Sequence, residues 1–362
     1  MSFFSPDYFV ARDRFRAAAS QLGCTMESHA VEARGPAGEE LTIDVARWGD
    51  TRADRVLVLS SGLHGVEGPF GSAVQTAWLE ACSGCATDLP TGTAVVLIHA
   101  LNPWGFAHLR RTDEQNIDLN RNFLLAGEKY AGSPELYATL DSILNPPRPP
   151  RHFDFFAARA LAALLRYGRR AVTQAIAQGQ YAFPRGLFFG GTGESEILRA
   201  LGTALPRWIG DVQHVLHLDF HTGLGPWATY KLLADYRLSD DQRLLSRTLG
   251  AGGVVIEPQE SPGGYYLSRG GLGGWCKARF ADRQYLLLVA EFGSYPPLHV
   301  LSALRNENQA YHSCVDGDPA ILRAKRRLSE VFCPRSETWR QRCIEQAVEL
   351  VAAGIKSMQS RR

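Results

Sequence analysis

Apolar residues fall in short blocks along the chain, and their spacing changes from block to block. Residues 8–22 carry them at helical intervals and predict an amphipathic helix. Residues 25–33 and 41–48 predict a strand pair joined by the turn-forming segment Gly35 to Gly38, a hairpin at a sheet edge. Residues 55–60 form a compact apolar run ending in Ser-Gly, followed by a helix that starts at Pro69 and extends through Ala81, with proline in its first turn. The same motif of apolar run and polar loop returns at 94–100, 214–220 and 285–290. Strands that alternate with helices predict an α/β fold: a mixed, mainly parallel central sheet with helices on both faces.

The pattern breaks between about residues 126 and 206. A proline-rich stretch at Pro146–Pro150 precedes an Ala/Leu/Arg-rich helical segment at 153–178 and a glycine cluster at Gly190–Gly193. This region is expected to be a helical insertion within a single domain of residues 1–362, packed on the core and over the site. From Pro319 onward the chain reads as helical, with Arg323–Arg327 as a solvated face.

Composition narrows the partners. Thirty-nine Lys and Arg against 37 Asp and Glu give a net charge of +2, which lacks the electrostatic footprint of a nucleic-acid binder. No run reaches the roughly 18 apolar residues of a membrane span. Asp7, Arg12, Asp13 and Arg14 interrupt what a signal peptide would need, so a cytoplasmic protein is expected. Seven scattered cysteines argue for reduced thiols, and the pair Cys82 and Cys85 lacks partners at zinc-finger spacing.

Ligands of open α/β sheets bind past the carboxyl ends of the strands. One such end carries His64 and Glu67 in the glycine-rich loop Gly62–Gly68, and another carries Asp219 and His221. Two imidazoles and one carboxylate, with a fourth position open, make the ligand set of a catalytic zinc. The bare H-x-x-E motif is weak, since it recurs at His29 and Glu32; that copy lies inside a predicted strand, with its side chains on opposite faces. His217, four residues before His221 on the same strand face, reads as a core or supporting histidine. A third element, residues 110–123, is a dense polar string suited to anion recognition, because arginine presents a rigid fork to carboxylates.

Together, the H-x-x-E loop, the string R-x-D-x-x-N-x-D-L-N-R-N, the D-x-H strand end and Glu291, 70 residues after His221, resemble the zinc carboxypeptidase superfamily. The superfamily includes carboxypeptidase A and, more distantly, aspartoacylase and succinylglutamate desuccinylase. The resemblance covers residues 50–125 and 210–300. It implies that His64, Glu67 and His221 bind one zinc ion per chain and that Glu291 is the general base and acid. By the same resemblance Arg111 stabilises the oxyanion, with Arg110 beside it as a competitor, and Asn120 and Arg121 hold a substrate carboxylate. Asp118 matches the carboxylate that orients the first zinc histidine. Tyr266, ahead of Trp275, resembles the substrate-site tyrosine, although Tyr265 is adjacent and Gly274 replaces the family's acidic residue before the tryptophan.

The implied function is zinc-dependent hydrolysis of an amide beside a free carboxylate, first of a small peptide and alternatively of an N-acyl amino acid. A catalytically silent zinc- or ligand-binding module is the contrasting reading. No G-x-S-x-G elbow and no phosphate-binding G-x-x-x-x-G-K-[ST] loop occurs in the sequence.

Overall fold

The structure, a computed structural model, describes residues 3–84, 89–151, 154–249, 255–256 and 268–358. Its strands are β1 (Thr25–Arg34), β2 (Glu40–Gly49), β3 (Arg55–Ser61), β4 (Thr93–His99), β5 (His214–Thr222), β6 (Tyr230–Leu233), β7 (Val255–Ile256) and β8 (Gln284–Phe292). They form one sheet in the order β1-β2-β4-β3-β5-β8-β6-β7. The four central strands β4, β3, β5 and β8 run parallel. Antiparallel pairings flank them: β2 joins β4 with β1 outside it, and β6 joins β8.

Why β3 lies at the centre follows from its residues. Val56 and Val58 point into one apolar layer and Leu57 and Leu59 into the other, so the strand is buried on both faces. Burying such a side chain stabilises the fold by about 1.5–3 kcal/mol. Helix α1 (Tyr8–Gln21) reaches both layers, the first through Tyr8 and Ala11 and the second through Phe15, Ala18 and Ala19, where α2 (Gly68–Gly84) packs through Phe70 and Val74. The short α3 (Pro103–Ala107) follows β4 and is capped by the Asn102 side chain, which accepts from Gly105 N.

Within residues 126–206 lie α4 (Glu135–Leu144), α5 (Phe156–Tyr167), α6 (Arg169–Ala177) and the start of α7 (Glu196–Ile209). The first three share an apolar cluster around Tyr137, Leu140, Val172 and Ile176, whereas Leu201 and Trp208 of α7 join the first core layer. The single helical segment expected at 153–178 is in fact two helices. Gly168, at φ +81°, adopts a left-handed conformation that ends α5 and opens α6.

The chain continues through α8 (Asp240–Ser246), α9 (Leu272–Arg279), α10 (Pro297–Ser313), α11 (Pro319–Phe332) and α12 (Glu337–Ser357). The helical C-terminal region thus contains two helices, and Trp339, Ala347 and Leu350 of α12 pack into the second core layer. Strands β6 and β7 and helix α10 are additions to the sequence reading. Among the described residues no helix is long and apolar enough to cross a membrane. Cys82 is buried, and Cys85 lies outside the described residues.

Candidate active site

Parallel strands present their carboxyl ends at the same edge of the sheet, and there the segments after β3 and β4 meet the ends of β5 and β8. After β3, Gly62 turns the chain with φ +67°, and His64 caps a single 3-10 turn over Gly65–Glu67 that runs directly into α2. The turn is pinned to the polar string, with Val66 N donating to Arg110 O at 2.8 Å and Gly65 N to Arg111 O at 3.3 Å. Glycine is required at 65 because a Cβ there would sit 2.0 Å from the Gly105 carbonyl carbon. The β5–β8 register sets His221 directly beside Glu291.

His64, Glu67 and His221 are buried, and ligand atoms from each lie within 4.8 Å of one another. The Nδ1 atoms of both histidines face Glu67, at 2.8 Å for His64 and 3.1 Å for His221. Their Nε2 atoms face other carboxylates, His64 with Asp118 at 3.1 Å and His221 with Asp219 at 2.7 Å. An Nε2–H donated to a carboxylate leaves the Nδ1 lone pair for a metal, the usual arrangement of metal-binding histidine. Glu67 also accepts from Thr222 N at 3.0 Å.

Charge supports the same reading. Burial alone would raise the carboxyls of Glu67, Asp118 and Asp219, but neighbouring groups outweigh it and hold each below its ordinary value: the His64 and His221 rings for Glu67, the Arg111 guanidinium and the His64 ring for Asp118, and the His221 ring for Asp219. Burial would lower His221, yet Asp219 and Glu67 raise it well above the usual imidazole range. For Glu291 burial and the nearby Glu67 carboxylate push the carboxyl up to about 8. With both imidazoles neutral, as metal ligation requires, the carboxylates of Glu67, Asp118 and Asp219 outnumber the one guanidinium of Arg111, a negative surplus that a divalent cation would neutralise. The residues therefore fit a zinc ion.

Arg110 and Arg111 are adjacent yet diverge. Arg110 is buried away from the cluster, donating to Glu307 Oε1 at 2.9 Å and Asn116 Oδ1 at 3.1 Å, with its guanidinium 3.5 Å from the Tyr311 ring centroid. Arg111 faces the cluster, donating from Nε to Asp118 at 2.9 Å and standing 3.5 Å from Glu67. Asn120 and Arg121 occupy the 3-10 turn Leu119–Arg121 and line the same cavity. Arg121 is buried and donates to Ala177 O from Nε at 3.0 Å and Nη2 at 2.6 Å. Glu291 lines the cavity too, with its Oε1 accepting from Leu224 N at 2.8 Å. Tyr265 and Tyr266 lie outside the described residues.

Four supporting residues, Asp219, Ser60, Tyr285 and Asp235, went unassigned at the level of sequence. Asp219 orients His221 and accepts at its other oxygen from Ser60 Oγ at 2.6 Å. Ser60 in turn meets His217 Nε2 at 2.7 Å, and His217 Nδ1 meets Tyr285 OH at 2.9 Å, so His217 is a buried supporting histidine. A serine in an otherwise apolar central strand was the available signal for this network. Asp235, half-buried, accepts from Gly273 N at 3.2 Å, lines the cavity and had no motif to mark it. His29 lies on the edge strand β1, apart from the site.

A family model described as "Protein of unknown function (DUF2817)" matches residues 4–346. A comparison with curated proteins gives no match. Among solved structures, the chain is similar to bovine thrombin-activatable fibrinolysis inhibitor in complex with tick carboxypeptidase inhibitor. That likeness has 11% identity and a TM-score of 0.53, over 98% of this chain and 96% of the other. A second structure of thrombin-activatable fibrinolysis inhibitor aligns at 12% identity and a TM-score of 0.52, over 97% of this chain and 74% of the other. These likenesses concern the fold. The chain belongs to the DUF2817 family and has a carboxypeptidase-like α/β fold.

Proposed function

We propose that the protein is a zinc-dependent hydrolase that cleaves an amide bond next to a free carboxylate. The observation that carries this reading is the His64–Glu67–His221 cluster, with both Nδ1 atoms turned inward and both Nε2 atoms held by carboxylates. These three side chains would hold the metal. Zinc bound there supplies Lewis acidity, polarising a carbonyl and making water more acidic.

The chain's own residues supply the rest. Glu291 takes a proton from the attacking water and returns it to the leaving amine, a role that suits a carboxyl lifted toward neutrality. A cation at the cluster would draw that carboxyl back down, so the bound enzyme would present Glu291 as the base. Arg111, fixed by Asp118, directs its guanidinium toward the developing oxyanion. Asn120 and Arg121 place a carboxylate beside the scissile bond.

A peptide C-terminus is the first substrate reading. An N-acyl amino acid is the second, and the cavity of about 450 Å³ opening from the cluster favours it, because its helical walls are largely apolar. The test is Glu291→Gln. The variant is expected to retain about one zinc per chain and lose turnover by at least about a hundredfold, the lower range of general acid–base contributions. Near-unaltered rates would overturn the role of Glu291, and failure of the unaltered protein to bind zinc would overturn the reading as a whole.

A further inference from the structure

The cavity beside the cluster has walls of two kinds. Its polar lining comes mainly from strand ends and loops: His64, Glu67, Arg111, Asn120, Arg121 and Glu291. The opposite chemistry comes from helices, with Leu140 and Leu144 of α4, Ala160 of α5, Val172 and Ile176 of α6 and Leu301 of α10 all lining the same space. Arg169 and Thr173 are the polar contributions of α6. At about 450 Å³ the cavity lies in the range of small-molecule sites, and the helical part of its lining suits an apolar group.

Helix α5 adds an independent observation. Its inner face lines the cavity through Phe156, Ala160 and Leu164, while its outer face leaves Leu161 and Leu165 exposed at 56% and 79%. A helix apolar on both faces is poorly explained as a plain surface helix. Small side chains at Ala160, Ala163 and Ala177 widen the lined space, where leucines at those positions would fill it.

We propose that the substrate is an amphiphile, an amide of a long-chain fatty acyl group, whose aliphatic tail enters the cavity walled by α4, α5, α6 and α10. This rests on the hydrolase reading above and names its substrate class. The reaction needs water as its only co-reactant. The amide C–N bond breaks, the acyl carbon gains the oxygen of water to become a carboxylic acid, the nitrogen gains a proton, and no electrons are transferred. The amine product carries the carboxylate that Asn120 and Arg121 receive.

The test begins without metal, so that binding is separated from turnover. N-dodecanoylglycine and N-acetylglycine differ by ten methylenes, and each methylene removed from water favours binding by about fourfold. Even partial filling of the cavity therefore predicts that calorimetry on the metal-free protein gives at least about a hundredfold tighter binding of the dodecanoyl compound. Ala160→Phe and Leu301→Phe, on different helices, should each remove at least about tenfold of that advantage; a thermal melt identifies a variant that has not folded. Equal affinity for the two compounds in the unaltered protein overturns the proposal, as does a preference that neither folded variant alters. On the zinc-loaded protein, release of glycine should be faster from the dodecanoyl compound. Chain-selective binding without hydrolysis of any amide would overturn the hydrolase reading and keep the apolar site, whereas faster cleavage of the acetyl compound would overturn the acyl-chain inference and keep the hydrolase.

Discussion

Replacing Asp118 by asparagine isolates what the buried carboxylate does for the proposed metal site. Asp118 is fully buried; Oδ1 accepts from His64 Nε2 at 3.1 Å and from Asn120 N at 3.1 Å, and Oδ2 accepts from Arg111 Nε at 2.9 Å. Asparagine keeps the shape and one acceptor, but it removes the charge and sets an NH2 against the Arg111 N–H. Carboxylate partners of metal-binding histidines contribute about 10- to 100-fold to metal affinity, or about 1.4–2.7 kcal/mol. Competition between the protein and a zinc chelator of known affinity, at pH 7.5, should show a loss in that range. At saturating zinc the stabilisation by metal falls by the same free energy, which at roughly 2–4 °C per kcal/mol makes the zinc-induced rise in Tm about 3–10 °C smaller. Asp219→Asn should behave alike, since it relates to His221 as Asp118 does to His64. A folded Asp118→Asn protein that binds zinc within twofold of the unaltered affinity would refute the argument, because the Nε2 contact would then not be what aims His64.

Three further outcomes are expected. Arg110→Met should destabilise the fold by about 3–5 kcal/mol in urea unfolding, because it leaves Glu307 buried with Lys325 3.9 Å away as its remaining cation, while Arg111→Met should lower turnover with a smaller stability loss; the reverse pattern would exchange the two assignments. Gly270→Ala places a Cβ 2.2 Å from Arg121 O at a φ of +69° and should destabilise by about 2 kcal/mol or more, which a thermal melt would detect and an unchanged Tm would contradict. His99 is buried, stacked on Phe15 and held near pH 4 by desolvation, so it stays neutral in the fold while the unfolded chain takes up a proton below about pH 6.5. Its contribution is therefore complete above pH 6.5 and declines by about 3 kcal/mol as pH falls toward 4; His99→Gln should flatten that part of the stability–pH curve, and an unchanged slope would remove His99 as its source.

Much of this arrangement was legible in the order of residues, for physical reasons that differ from element to element. The run Val56–Leu59 is apolar at consecutive positions and β-branched at every second one, as suits a strand covered on both faces, and its end located His64 and Glu67. The choice between Arg110 and Arg111 was not legible. Both lie in an irregular segment, and what separates them is Glu307, a partner 197 residues further along the chain. Asp219 was visible beside His221, but its task depends on the β3–β5 register that brings Ser60 against it. Strand β6 spans only four residues after a glycine- and proline-rich loop, too short for its period to stand out. The break at Gly168 carried its own signal, a glycine inside a helical pattern, and the left-handed φ of +81° explains why it separates two helices.

Arg121 joins these levels. It was placed at the site as an anion grip, yet the structure gives its Nε and Nη2 to the Ala177 carbonyl at the end of α6 and its Nη1 to Asn120 O at 2.7 Å. Its own carbonyl accepts from Tyr181 OH at 2.8 Å and lies so close to Gly270 that no Cβ fits between them. One residue therefore ties the polar string to α6 and to the segment that leads into α9, and the helix it fastens is a wall of the cavity. A change in substrate affinity on altering Arg121 would mix loss of a charge with displacement of α6. Arg121→Lys separates the two only in part, because lysine keeps the cation and loses the fork that binds one carbonyl twice. Asn120 gives the cleaner view of carboxylate recognition: its Oδ1 accepts from Leu272 N at 3.1 Å, and it shares the turn with Arg121 without bonding to α6. The corner proposed to receive the carboxylate and the apolar wall proposed to receive the acyl chain are thus mechanically one structure.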